Sequence, residues 1–482
     1  MNLTLPSQYD FVPRYFRLAL ANVLSNIMLP LANLVSIIFL GHLSELQHLA
    51  GVAIAGNVLN FLYMVLIFLR MGTTGVTAQA VGRNDRDGVI LVALRNGLIA
   101  VVLGIAIILL QYPLGQLGFG FLDIPPEVKD SALAYFHAQI WGAPAIFMNF
   151  VLIGWFLGRE QNSIVILFSF IGNGTKIALD YLLIVKLGWE SAGAGTSYAS
   201  SQYLALSIGL FFFFRQVKLE EIAKVLGRVW NLAAFKSTVT LNSNIFVSNL
   251  FTLLPFALFN FQGASLGTVI YSQNALLLQI FALSYYFTEG LGFGTETLAG
   301  NFTGKGDSEQ LKSLLFVSVG TSIVAGSIFA GVPNLFPESV FGLLTNHEEV
   351  IEQIASYAPW LIMLLGFGSI GCMLEGYFLG LAKGNTLRNA SLVGMVVAFA
   401  PIDLTALRLE SNHILWLSVC SFLTVRMLVL AIQIPATFTE VYISGHGGEA
   451  ALLEEAINSP VLIDDKSSPQ MVTEKVEVSQ RE

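Results

Sequence analysis

The chain has 482 residues, 55% of them hydrophobic and 12% charged, with a formal charge of −8, where a soluble domain carries about 25% charged residues. With a mean hydropathy of +0.70, this composition excludes a soluble enzyme or nucleic-acid-binding protein and points to an integral membrane protein. Nine acids between Glu440 and Glu482 face only Lys466, Lys475 and Arg481, so the acidic balance belongs mostly to the tail.

In chain order, the polar stretch MNLTLPSQYDFVPRYFR comes first. The apolar run behind it is longer than a signal-peptide core, so no cleaved signal is expected. The first half holds runs near Arg17–Leu40, Leu49–Leu69, Val89–Leu110, Ala132–Leu157, Ser163–Leu187 and Ala192–Phe214. Arg70, at the end of the second run, reads as a cytoplasmic anchor. A basic connector, Arg215–Lys236, precedes runs near Val239–Phe261, Val269–Gly292, Leu311–Val332, Ile351–Leu381, Leu387–Pro401 and His413–Ile434. Each run is about one bilayer-spanning helix long, and none shows the alternation of a barrel strand. The expected fold is all-α: a polytopic membrane protein of about twelve transmembrane helices. Cys372 and Cys420 fall inside spans, which argues against a disulfide framework.

Ionisable residues deep in these runs are candidate functional groups, because a charge in the bilayer must be paired, solvated or neutralised. In the fifth run Lys176 and Asp180 are four residues apart and share a helix face. We read them as the centre of a transport site; the competing reading is a structural ion pair, less favoured because an apolar pair would cost less to bury. Glu289 and Glu296 share a face of the eighth run, with Glu375 in the tenth, and could bind a cationic substrate or carry protons. Asp403 and Arg408 are expected at a loop, and Arg426 lies inside the last run. The six histidines show no metal-ligand spacing, no phosphate-binding loop motif is present, and no nucleophile, base and orienting group can be assembled. The chain is therefore read as a non-enzyme without metal or cofactor.

Three pairs of motifs recur at one offset of 222 residues: FLGHL around Gly41 and FQGAS around Gly263, GRND at Gly82 and GKGD at Gly304, GWFLG at Gly154 and GYFLG at Gly376. Two pseudo-symmetric six-helix bundles follow, a pattern that membrane transporters use to enclose a midplane site. The expected organisation is an N-terminal lobe over 1–214, a cytoplasmic linker over 215–236, a C-terminal lobe over 237–439 and an acidic, disordered cytoplasmic tail over 440–482, with a short helix at Glu449–Ile457. Lys and Arg gather in one set of loops, among them Arg83, Arg159, Lys218, Lys305 and Lys383, against Lys129, Lys186 and Arg408 in the other. Both termini are therefore expected to be cytoplasmic.

FLGHL with LAGVAIAG, FLRMGTTGVTAQAVGRND at Phe68–Asp85, GWFLGREQNS at Gly154–Ser163, ALDYLLIVKLGWESAGAG at Ala178–Gly195 and EGYFLG at Glu375–Gly380 together resemble the multidrug and toxic compound extrusion (MATE) family, DinF-like branch. The resemblance implies two lobes around a central cavity that export cationic or amphiphilic compounds by alternating-access antiport. It implies a cation-coupling site at Asp180, which keeps the family's fifth-helix Asp, and at Asn173. Ser36, Lys176 and Tyr198 stand where the family has Asp, Asn and Thr. A sodium site needs several oxygen ligands, so these departures favour proton over sodium coupling, with Lys176 in the ion's electrostatic place. The expected partners are a small-molecule substrate and the lipid bilayer, with no nucleic acid; the expected state is a monomer in a bacterial inner membrane. Two alternatives are a flippase for a lipid-linked substrate and a non-transporting receptor or scaffold.

Overall fold

The computed structural model describes residues 7–43, 45–120, 124–345 and 347–445, and every regular element among them is helical. With no water in the bilayer core, each backbone N–H and C=O must be satisfied within its own segment, which a helix does. The first half comprises α1 (Val12–Gly41), α2 (Leu46–Gly82), α3 (Arg86–Leu109), α4 (Pro126–Ile140 and Ala143–Gly158, bent by 53°), α5 (Asn162–Lys186) and α6 (Glu190–Gln216). The second comprises α7 (Leu232–Ser265), α8 (Thr268–Lys305), α9 (Ser308–Leu335), α10 (Trp360–Gly380), α11 (Gly384–Leu409) and α12 (Asn412–Gly445). Ten of these are long and apolar enough to cross a membrane, and the bent pair adds an eleventh. The other, α6, has 27 residues but is rich in Ser, Gly and Ala.

The duplication is visible in backbone geometry. Left-handed residues end helices in matched pairs 222 apart: Asn84 (φ 56°) and Gly306 (φ 73°), Glu160 (φ 61°) and Ala382 (φ 56°), Gly188 (φ 66°) and Glu410 (φ 48°). Asn and Gly tolerate this conformation better than other residues, which is why GRND and GKGD serve the same turn. After that turn Asp85 and Asp307 each cap the next helix, accepting from the N–H of Gly88 at 2.8 Å and of Gln310 at 3.0 Å. Both α5 and α11 contain a wider π turn, at Tyr181–Lys186 and Gly394–Phe399.

Helix faces sort by environment. On α1, Leu20, Leu24, Ile27, Leu31, Leu34 and Ile38 are exposed at helical spacing, while Asn22, Val23, Ala32, Ser36 and Leu40 are buried. The first stripe suits lipid and the second packs inward. The halves meet where α2 and α8 run together toward the 83–85 and 305–307 turns. A Cβ on Gly300 would lie 2.6 Å from Ala78 Cβ and 3.0 Å from the Gly75 carbonyl oxygen, so only glycine permits this approach. Gln79 donates across it to the Gly380 carbonyl at 2.8 Å. Toward the other end the halves separate around a cavity of about 420 Å³.

Several expectations need correction. The second and eighth spans do not stop at Leu69 and Gly292 but continue to Gly82 and Lys305, because their small residues pack helix on helix instead of forming loops. Arg70 is thus inside a helix, not at its end. Asp403 and Arg408 lie within α11, where Gln262 donates to Asp403 at 2.7 Å. In the connector, Leu219–Val229 is a helix, and α12 runs past Glu440 to Gly445. The short helix expected at Glu449–Ile457 lies outside the described residues.

Candidate functional site

In the first lobe α1, α5 and α6 bring together Ser36, Lys176, Asp180 and Ser197. The Lys176 Nζ lies 3.2 Å from Asp180 Oδ2; it also donates to Ser36 Oγ, and Ser36 in turn donates to Asp180 Oδ2. Ser197 Oγ donates to the other carboxylate oxygen, Oδ1. Asp180 is 0% and Lys176 4% exposed. The i,i+4 spacing supplies the pair, and the two hydroxyls complete the charge-assisted bonding that a buried carboxylate requires. The ammonium forms part of the wall of a cavity of about 260 Å³, with Asn33, Asn57, Asn60, Tyr63 and Gln139. Asp180 is sealed behind it.

The carboxylate's neighbours are an ammonium and two hydroxyls. Tyr198, expected in this cluster, is not among Asp180's hydrogen-bond partners. It borders both this cavity and the cleft between lobes, and its neighbour Ser197 makes the contact. Asn173 donates to the Ser169 carbonyl at 2.9 Å and faces the cleft instead.

The second-lobe acids separate into three environments. Glu289 accepts from Asn26 Nδ2 of α1 at 3.0 Å and borders both cavities between the lobes. Glu375 pairs with Arg426 at 3.0 Å, whose Nε donates to Ser391 at 3.0 Å. Glu296 is buried against the backbone of Gly75, its Oε1 without a hydrogen-bond partner among the described residues. It lies at the α2–α8 junction, away from the cavities. Phe256 and Phe281 stack with centroids 5.0 Å apart, Tyr285 lies 6.0 Å beyond, and Tyr286, Glu289 and Glu375 share the same cavity. Its volume falls in the range of small-molecule sites. Outside the cavity, Phe211 and Phe214 are exposed, while Trp360 donates to His413.

Ser197 escaped the sequence reading, and Arg70, read there as a cytoplasmic anchor, lies between the lobes. The Arg70 guanidinium carbon lies 3.5 Å from the centroid of the Phe293 ring, across the lobe boundary, and borders the same cavity as Asn26 and Glu289.

The MatE family model matches residues 22–182 and 245–404, one copy in each half. DNA damage-inducible protein F of Escherichia coli (strain K12) is 32% identical over 419 residues, covering 86% of this chain and 90% of that protein. A MOP superfamily transporter from Pyrococcus furiosus superposes with a TM-score of 0.78 at 17% identity, covering 89% of this chain and 96% of that one. A MATE structure in a bent conformation gives a TM-score of 0.80 at 17% identity, covering 91% and 98%. At this identity the structures establish the shared fold.

Proposed function

Because the chain belongs to the multidrug and toxic compound extrusion family of membrane transporters, we propose that it is an antiporter that exports small organic cations or cationic amphiphiles by alternating access. The observation that carries this reading is the cavity between the lobes, where Glu289 and Glu375 stand among Phe256, Phe281, Tyr285 and Tyr286. Carboxylates attract a cation, and aromatic faces hold its apolar and charged parts together. Glu375 already has Arg426, so Glu289 is the acid placed to meet the substrate.

The driving ion in this reading is the proton. Lys176 takes the electrostatic place of a coupling cation beside Asp180, and protonation of the pair or of Glu289 changes the charge of each lobe without a bound metal ion. The protein works without a cofactor, as a monomer in a bacterial inner membrane. Both termini and the 83–85 and 305–307 turns are cytoplasmic, so the arrangement described here is closed inward and open outward.

The test is efflux of a panel of organic cations, tetraphenylphosphonium among them, from proteoliposomes with an imposed ion gradient. Gradient-dependent efflux, reduced at least tenfold in Glu289→Gln, supports the reading. Flux of no cation on the panel, or flux unchanged in that variant, contradicts it.

A further inference from the structure

Arg70 is the one cation that the first lobe presents to the second lobe's acids among the described residues, and no step above uses it. Its side chain leaves α2 and stacks on Phe293 of α8. Its charge interacts with Glu289 and Glu296, seven residues apart on α8. Its Nε and Nη2 are buried without a hydrogen-bond partner among the described residues. A guanidinium so placed is held by the ring face and by the charge of the two carboxylates. The other ionisable groups around it are Tyr285 and Tyr286 of α8, with Glu375 of α10 occupied by Arg426 of α12. From α1 the facing group is the neutral amide of Asn26, bonded to Glu289.

We propose that Arg70 is a charge-sensitive tether between the lobes, holding the α2–α8 junction closed while Glu289 is ionised and releasing it when a proton or a bound cation neutralises that carboxylate. Phe293, Glu289 and Glu296 all belong to the second lobe and Arg70 to the first, so any separation of α2 from α8 breaks these contacts together. Neutralising Glu289 removes one of the two carboxylate attractions while the stack on Phe293 remains. The closed arrangement is then weakened without being abolished, as an alternating equilibrium requires. A substrate cation at Glu289 competes with Arg70 for the same charge, which links occupancy of the cavity to opening at its floor. The inference rests on the alternating-access reading above.

The experiment measures distances between spin labels at Glu220→Cys, exposed on the connector helix that Arg86 holds to the first lobe, and Lys312→Cys, exposed on the second lobe, in the full chain in lipid nanodiscs without substrate. Arg70→Gln is expected to shift the ratio of closed to open arrangements on the order of thirtyfold toward open, about what a desolvated cation–π contact is worth. Glu289→Gln is expected to shift it in the same direction by less. Arg70→Lys, which keeps the charge and loses the planar stack, falls between wild type and Arg70→Gln. The double variant Arg70→Gln/Glu289→Gln should equal Arg70→Gln alone, because one interaction is removed only once. Distances unchanged in Arg70→Gln, or additive shifts in the double variant, overturn the proposal, including where Arg70→Gln merely lowers thermal stability. Failure of the export reading registers separately, as absent cation flux in wild-type vesicles.

Discussion

Lys176 and Asp180 are brought together by helix spacing alone, but the consequence of their burial depends on Ser36 and Ser197 from two other helices. Lys176→Met leaves an ionised carboxylate sealed at 0% exposure, which should cost about 3–5 kcal/mol and lower the unfolding temperature in detergent. The double change Lys176→Met/Asp180→Asn should recover most of that loss. An unchanged unfolding temperature in the single variant would mean that the pair is not bonded as described. Ser197→Ala leaves Oδ1 without its hydroxyl and should cost about 1–3 kcal/mol, whereas Tyr198→Phe should fall within about 0.5 kcal/mol of wild type; the reverse order in a thermal melt would contradict the assignment. Adjacent helical residues point about 100° apart. A match by family position could therefore name Tyr198 while the geometry selects Ser197.

The α2–α8 junction depends on the absence of side chains at the helix contact. Gly300→Ala places a methyl group 2.6 Å from Ala78 Cβ, and such overpacking costs about 1–3 kcal/mol. The expected result is a lower yield of the disulfide between cysteines introduced at Arg83 and Lys305; an undiminished yield would contradict the close approach. A second element, Leu219–Val229, is held to α3 by the bidentate pair of Arg86 with Glu221, at 3.0 and 3.2 Å. That hydrogen bonding, with the Lys218 N–H, lowers the Glu221 pKa from 4.5 to about 2. A carboxylate with a depressed folded-state value contributes stability that is present above its ordinary value and is lost as pH falls toward the folded one. Amide exchange in 219–229, corrected for intrinsic rate, should therefore rise between pH 4.5 and 2 in wild type. Glu221→Gln should lack this rise, and identical profiles would contradict it. Neither junction was legible as such. GTTGVTAQAVG reads as a loop by hydropathy because the residues that allow helices to touch are the ones that score as weakly apolar.

For the whole molecule, the architecture was more legible than the chemistry. Three motif pairs at one offset announced the duplication, and the helix-ending residues Asn84 and Gly306 or Glu160 and Ala382 repeat it in backbone angles. Membrane burial makes helices obligatory, so apolar length finds them; α6 is among them, its run read at Ala192–Phe214 despite a high Ser and Gly content. Charge positions were legible, but partners were not: Glu375 and Arg426 are 51 residues apart in sequence, and Arg70 meets Phe293 across the lobe boundary, which one helix's periodicity cannot reveal. The account centres on the proposal that a tethered ammonium at Lys176 stands in for a coupling ion. The most direct measurement is tetraphenylphosphonium efflux from proteoliposomes under separately imposed proton and sodium gradients, for wild type and Lys176→Asn. The account predicts proton-driven, sodium-independent efflux in wild type, reduced at least tenfold in the variant. Efflux driven by sodium alone in wild type, or proton-driven efflux undiminished in Lys176→Asn, would contradict it.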